Sequence, residues 1–284
     1  MPELPEVETI VRSLSSKLRG HEVSSSTVFS SHFLRNTSPF FLRRLRRRKV
    51  VDMRRRGKLI LLDFEDNLSL VFHLKMTGQF FFSRRREPRD KHTHFVLTFK
   101  SQERELRFRD VRKFGFLIGV KTSEAFLTDE LGLLGPEPLE IDFFRFKKLF
   151  QGRKARLKSL LLDQTFIAGI GNIYADEILF QAKLHPLIPA PQLTDVHLKR
   201  LSLATKDVLN EAIRCKGSSI RDYLDDEGER GNFQDLHRVY GREALPCFIC
   251  GEAIRRIRMG GRSSFFCPRC QKSRSVRAKR SSRK

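Results

Sequence analysis

MPELPEVETI, residues 1–10, packs two prolines and three glutamates into its first eight positions. Beyond them Val7, Ile10, Val11, Leu14 and Leu18 recur at helical spacing. The spacing predicts an amphipathic helix over residues 3–19, stopped by Gly20. Proline suits a first helical turn, and Glu3, Glu6 and Glu8 sit where the positive end of the helix dipole favours carboxylates. Pro2 raises a further question, because a small residue after Met1 is commonly exposed by removal of the initiator methionine. That would leave a secondary amine at the start of the chain. A helix alone accounts for the local pattern, so the rest of the chain has to decide whether it does more.

At 284 residues with 39% hydrophobic content, the chain is long enough for two domains, each with its own core. Its 56 Lys and Arg against 33 Asp and Glu give a formal charge of +23, which points to a polyanionic partner, nucleic acid above all. No run approaches the roughly 18 apolar residues of a membrane span, and the acidic start has neither a basic n-region nor an apolar h-region. A cytoplasmic, nucleoid-associated bacterial protein with no membrane partner is expected. Four of the five cysteines form two Cys-x-x-Cys pairs near the C-terminus, which in a reducing compartment read as a metal site. Cys215 is left over and is expected to be a buried structural thiol.

Residues 23–120 hold short β-like runs (VSSSTVF, KVVDM, KLILLDF, SLVFHL, HFVLTF, ELRFRDV and FGFLIGV), with Glu65-Asp66-Asn67 as a hairpin turn. Many short strands predict an antiparallel sandwich or barrel. LGLLGPEPLEID, from Leu131, has the Gly and Pro punctuation of a linker. KARLKSLLLD, GNIYADEILFQA and TDVHLKRLSLATKDVLNEAIRCKG then read as three helices of a second domain. The expected fold class is α+β multidomain. Its parts are residues 1–130 (helix and β domain), 131–150 (linker), 151–237 (helical domain), 238–272 (cysteine module) and 273–284 (a basic, disordered, DNA-attracted tail).

Three constellations carry chemistry. Cys247, Cys250, Cys267 and Cys270 form C-x2-C-x16-C-x2-C, which predicts one tetrahedral zinc with four thiolate ligands and no open position, hence a structural ion. Between the pairs, IRRIRMGGRSSFF has two strand-like arms joined at Gly260-Gly261, a hairpin that presents Arg262 near its tip. A solvated turn arginine is the ordinary alternative there. Gly169 and Gly171 precede a helix whose first turn includes Asn172, and free amides at a helix N-terminus bind phosphate. A plain packing role accounts for a Gly-x-Gly-Asn equally well. The third cluster, on the β domain, contains Lys58, Met76, His92, Arg112 and Phe114. Cations with an exposed Met or Phe at strand ends can grip a nucleic-acid backbone and wedge a base stack, although each apolar member alone suits a core.

Taken in order, MPELPEVET, RRRGKL, HLKMTG, DVRKFG, LGPEPL, GIGNIYADEILF, KGSSIRDY, VYGRE and the module ending CPRCQK resemble the formamidopyrimidine-DNA glycosylase branch of the Fpg/Nei family of bacterial DNA repair enzymes. The resemblance spans residues 1–272. It implies an N-terminal helix on an antiparallel β-sandwich, a helix-two-turn-helix domain and a zinc-finger β-hairpin. It further implies a bifunctional glycosylase and abasic-site lyase of base excision repair, acting as a monomer on damaged double-stranded DNA. The expected lesions are oxidised purines, namely 8-oxoguanine opposite cytosine and formamidopyrimidines. One structural zinc and no organic cofactor are implied.

On the same resemblance Pro2 is the nucleophile that attacks the anomeric carbon of a flipped-out nucleotide and forms an iminium adduct. An α-amine with a reference pKa of about 7.7–8.0 is roughly a tenth neutral at pH 7, against under ~0.1% for a lysine near 10.4. Glu3 is the general acid for the opened sugar oxygen, a role that requires a protonated carboxyl, and Glu6 supports it. Lys58 is assigned to β-elimination, and Arg262 to δ-elimination and the lesion phosphate. His92, Arg112 and Arg153 match DNA contacts and Asn172 a phosphate ligand. Met76, Arg112 and Phe114 match the triad that fills the vacated gap, with Arg112 reading the opposite base. The loop KGSSIRDYLDDEGERGNF is expected to close over the extruded base. Lys113 stands where the family usually has arginine, Ser218-Ser219 where it has two threonines, and LRRLRRRKV and the tail exceed its usual basicity. Strong non-specific DNA binding that weakens steeply with salt is therefore expected. A non-catalytic DNA-binding zinc protein and a Nei-like glycosylase of oxidised pyrimidines are the alternatives. The joint presence of Pro2, Glu3, Lys58 and Arg262 disfavours the first, and the opening motif the second.

Overall fold

Helix α1 (Leu4–Leu18) forms where the apolar spacing predicts, and in the computed structural model, which describes residues 1–219 and 228–272, Pro5 lies in its first turn. Glu6 caps it from inside, its Oε2 accepting the Glu3 N–H at 2.7 Å. Leu4, Val7, Ile10, Leu14 and Leu18 make one buried stripe. The tail expected over 273–284 and the centre of the loop expected to close over a base, 220–227, lie outside the described residues.

The chain divides into two units. The first contains Met1–Glu140, Asp163–Gly171 and the described part of Leu209–Leu236. It holds strands β1 (Val23–Val28), β2 (Val50–Arg56), β3 (Leu59–Phe64), β4 (Leu68–His73), β5 (Gly78–Arg84), β6 (Thr93–Phe99), β7 (Arg104–Asp110) and β8 (Phe116–Lys121), with the short helices α2 (Pro39–Arg43) and α3 (Asp129–Gly132). The strands form two antiparallel sheets in the orders β1-β6-β7-β5 and β2-β3-β4-β8. Phe95, Leu97, Leu106 and Phe108 of one sheet pack against Ile60, Leu62, Leu70 and Phe72 of the other, and the α1 stripe joins the same core. Phenylalanine fills it efficiently, as in the Phe33–Phe108 and Phe72–Phe80 pairs with centroids 4.5 and 5.0 Å apart. The Asp66-Asn67 turn forms as predicted, both residues at φ 59°, a region that Asp and Asn tolerate. Strand β5 is not among the predicted strands. Gly78 at its start and three consecutive phenylalanines mask its alternation, yet it closes an edge on β7 and buries Phe80.

The second unit contains Ile141–Leu162, Asn172–Val208 and the described residues from His237 onward. Its helices are α4 (Phe143–Leu149), α5 (Leu157–Leu162), α6 (Asn172–Gln181) and the greater part of α7 (Asp195–Arg214), and its hairpin pairs β9 (Arg255–Met259) with β10 (Arg262–Phe266). The stretch expected as a linker thus carries a helix, because Asp142 caps it by accepting the Arg145 N–H at 2.8 Å and Phe146 is buried beneath it. Helix α7 stops at Arg214, and Lys216 and Gly217 follow with positive φ. Cys215 sits at that stop and is half-buried rather than buried, a correction to the expected buried thiol.

Two carboxylates on α6 organise this unit. Glu177 accepts the backbone N–H groups of Arg238, Val239 and Tyr240 at 2.8–2.9 Å, and burial holds its pKa above the usual carboxylate range. Asp176 takes the Lys158 ammonium at 2.7 Å, the Ser264 hydroxyl at 3.0 Å and the Phe265 N–H at 3.0 Å, which anchors β10. Burial pushes Asp176 up to about 6 against the pull of Lys158. Breaking a buried pair strands a charge. Asp176→Ala is expected to lower unfolding free energy by about 3–5 kcal/mol in denaturant titrations, and the double change Lys158→Met/Asp176→Leu to recover most of that loss.

Candidate active site and nucleic-acid interface

The first unit brings the opening residues onto a turn from the middle of the chain. Pro2 and Glu3 are buried, whereas Met1 is 47% exposed. The Glu3 carboxylate accepts the Gly171 N–H at 2.7 Å, and the Leu4 N–H donates to the Gly169 carbonyl at 3.0 Å. A Cβ on Gly171 would lie 2.2 Å from Glu3 Cδ, so glycine is what lets the carboxylate approach. Glu6 uses its second oxygen, Oε1, to accept the Ser218 N–H at 2.7 Å, and Gly217 leaves room for it.

Lys58 reaches the same turn from the other side, its buried ammonium donating to the Ile170 carbonyl at 2.9 Å. The RRRGK turn that carries it is fixed by Glu137, which sequence inspection does not single out. Its carboxylate accepts Arg55 at 2.6 Å, Arg56 at 2.9 Å and the Gly57 N–H at 2.6 Å. Arg55 also binds Glu8 at 2.7 Å, which ties the turn to α1. Burial pushes Glu8 up, but the hydrogen bonds from Arg55 and Arg12 outweigh it and hold its carboxyl below the usual range. The Pro-Glu within LGPEPL is the only signal that could have flagged Glu137.

Beside Lys58 opens a cavity of about 180 Å³ lined by residues that include Arg35, His73, Lys75 and Phe116. Burial, reinforced by Lys75, Lys58 and Arg35, pushes His73 down to about 3, so its ring is neutral at physiological pH. Its Nδ1 accepts the Lys75 N–H at 2.9 Å, which leaves the ring proton on Nε2. The cavity wall is cationic with one neutral N–H donor, a set that suits an anion.

The predicted wedge residues cluster at one end of the sandwich. Met76 is 39% and Phe114 51% exposed, so neither belongs to the core. The Arg112 guanidinium lies 4.9 Å from the Phe114 ring centroid. Asp110, fully buried, joins the two loops: Oδ1 bonds the Thr77 hydroxyl and the Arg112 N–H, and Oδ2 accepts the Gly115 N–H at 2.7 Å. Asp110 is also absent from the predicted site. Its place at the end of β7, before a turn, is a weak sign of a carboxylate that caps backbone amides. His92 is half-buried nearby, its N–H held by Asp90 at 2.8 Å.

In the second unit Arg153 is exposed after α4. Asn172 opens α6 and donates Nδ2 to the Ser263 carbonyl at 3.0 Å, one residue after Arg262. Arg262 is exposed beside Gly260 and Gly261, whose φ values of 52° and 75° make the tight turn that a two-residue hairpin needs. The sulfur atoms of Cys247, Cys250, Cys267 and Cys270 all lie within 4.8 Å of one another. A tetrahedral zinc with bonds of about 2.3 Å requires sulfurs about 3.8 Å apart. The Cys250–Cys267, Cys250–Cys270 and Cys247–Cys270 separations of 3.5, 3.5 and 3.9 Å fit it, so these residues hold one structural zinc.

A buried N-terminal carboxylate pair on a glycine turn, an exposed Arg-Phe-Met wedge and a four-thiolate finger define a class: zinc-containing enzymes that act on bases within DNA. The chain matches family models for the formamidopyrimidine-DNA glycosylase N-terminal domain over residues 1–117, its H2TH domain over 134–223 and the zinc finger found in FPG and IleRS over 244–272. It is 44% identical to the formamidopyrimidine-DNA glycosylase of Desulforamulus reducens, covering 96% of this chain and all of that one, and 45% identical to that of Solibacter usitatus, covering the same shares. The Lactococcus lactis enzyme in complex with a Fapy-dG containing DNA superposes with a TM-score of 0.89 at 33% identity, covering 96% of this chain and all of that one. The same enzyme with abasic-site DNA gives 0.89, covering 95% and 100%. The chain belongs to the formamidopyrimidine-DNA glycosylase family and is a DNA glycosylase of base excision repair. Among the described residues no helix is long and apolar enough to cross a membrane.

Two outcomes test this geometry. Thiol titration with mercurial release is expected to free one zinc per chain, and Cys267→Ser to abolish that zinc together with DNA affinity. Gly171→Ala must displace the Glu3 carboxylate, and a general acid typically contributes about 10²–10⁴-fold. Its single-turnover base-excision rate is expected to fall at least about 100-fold while the unfolding midpoint stays near wild type.

Proposed function

We propose that the chain excises oxidised purines, with 8-oxoguanine opposite cytosine and formamidopyrimidines as substrates, and then cleaves the strand by β,δ-elimination. After removal of Met1, the Pro2 amine attacks C1′ of the flipped nucleotide and the N-glycosidic bond breaks with its electrons leaving on the base. Glu3 delivers a proton to the sugar oxygen as the ring opens, and the amine lone pair forms the iminium. Loss of the C2′ proton then expels the 3′ phosphate, with Lys58 placed to move that proton. Arg262 takes the second elimination and the lesion phosphate.

Met76, Arg112 and Phe114 fill the gap, and Arg112 donates two hydrogen bonds to the acceptors of cytosine. His92, Arg153 and Asn172 hold phosphates. The four-thiolate zinc, with no open coordination position, serves only to shape the hairpin that carries Arg262. Within this reading residues 1–130 are the catalytic part, 131–150 a connection, 151–237 the helical DNA-binding part and 238–272 the zinc finger. The setting is the bacterial cytoplasm, on the nucleoid, and the chain works as a monomer. The Fapy-dG and abasic-site complexes of the Lactococcus lactis relative support the substrate class. The observation that carries the proposal is the Gly169–Gly171 turn, which takes the Glu3 carboxylate and, through the intervening Ile170 carbonyl, the Lys58 ammonium, directly behind Pro2.

Borohydride reduction on a duplex with one 8-oxoguanine opposite cytosine is expected to trap a covalent adduct on the N-terminal proline, located by digestion and mass spectrometry. Pro2→Gly should slow trapping, and Glu3→Gln should abolish base release. Tight binding with neither adduct nor strand cleavage, on this or an abasic-site duplex, would sink the assignment.

A further inference from the structure

The turn shared by Glu3 and Lys58 has a third side chain on it. Gln164 spans the turn from the segment before it. Its Oε1 accepts the Gly169 N–H at 2.9 Å, and its Nε2 donates to the Ile170 carbonyl at 2.8 Å. That carbonyl is also the acceptor for Lys58. The backbone of Gln164 is held too, its carbonyl accepting the Gly135 N–H at 2.8 Å next to the Glu137 segment. One primary amide therefore grips two consecutive peptides of a turn whose first residue, Gly169, stands at φ +85°. The peptide after them donates to Glu3.

We infer that Gln164 is a positioning residue for base excision and lyase chemistry, acting by locking the Gly169–Ile170 peptides so that the Ile170 carbonyl holds Lys58 and the Gly171 N–H holds Glu3. The inference rests on the roles of Glu3 and Lys58 proposed above. Only an amide fits both contacts at this reach: a carboxylate keeps the acceptor for Gly169 but has no donor for Ile170, an aliphatic chain offers neither, and asparagine is one methylene short. With the clamp gone, the Ile170 carbonyl can rotate away from Lys58 and the Gly171 N–H away from Glu3. Misplacement of a catalytic group by about 1 Å can cost about 100-fold in rate.

The test compares full-length wild type, Gln164→Leu, Gln164→Glu and Glu3→Gln. The measurements are single-turnover 8-oxoguanine release, borohydride trapping on an abasic-site duplex, affinity for a tetrahydrofuran-site duplex, and the thermal unfolding midpoint. Gln164→Leu is expected to slow both chemical steps about 10–100-fold, with affinity within about threefold of wild type and an unfolding midpoint well above the assay temperature. Gln164→Glu keeps one contact and should fall between the two. Rates equal to wild type in Gln164→Leu, or rates that drop only in proportion to lost affinity or lost folded protein, overturn the positioning role. If Glu3→Gln releases base at the wild-type rate, the underlying assignment fails whatever Gln164 does. An inactive Glu3→Gln beside a fully active Gln164→Leu overturns the clamp alone.

Discussion

The structure turns on two carboxylates that have left water near the start of the chain and are met there by peptide N–H groups from distant segments. Glu3 is received by Gly171 and Glu6 by Ser218, while Glu6 also closes on the Glu3 N–H. A buried carboxylate without donors is costly, so these bonds fix where α1 begins, and with it Pro2. Glycine at 171 and 217 is a condition of the arrangement, because a Cβ at either site would occupy the space of a carboxylate. The same device recurs in Glu137 at the RRRGK turn, Asp110 beneath the wedge and Glu177 beneath the VYGRE segment. In a protein whose surface is strongly basic, buried carboxylates do the holding and exposed cations are left for the polyanion.

That division of labour explains which parts were legible in the sequence. Helix α1, seven of the eight strands in the sandwich, the Asp66-Asn67 turn and the zinc hairpin follow from periodicity and turn chemistry, which are local. Strand β5 did not stand out, because its phenylalanines do not alternate with polar residues, and α4 was hidden in a stretch punctuated like a linker. The zinc ligands could be read directly, since Cys-x-x-Cys spacing carries its own geometry. The clamps at Glu137, Asp110 and Gln164 could not. Each pairs a side chain with backbone atoms that no residue type announces, and each becomes visible only once the fold brings the segments together.

The wedge illustrates the limit from the other direction. Met76 and Phe114 taken singly are better candidates for a core than for a surface, and only their measured exposure separates the two. What keeps them outside is Asp110, which ties the Thr77 and Gly115 backbones down and leaves the intervening loops nowhere to bury their apolar side chains. Rigid loops that present apolar groups lose little conformational freedom when those groups enter a base stack.

The first unit is built from three stretches of chain, and the stretch that receives Glu3 comes about 170 residues after it. At ribosomal rates of about 5–20 residues per second, α1 leaves the exit tunnel on the order of ten to thirty seconds before Gly171 is made. Over that interval the sandwich can collapse around the apolar stripe of α1 while Glu3 still points into solvent. The second carboxylate waits longer, for Ser218. Synthesis thus orders assembly of the molecule, with the hydrophobic scaffold first and the chemically competent amino terminus last.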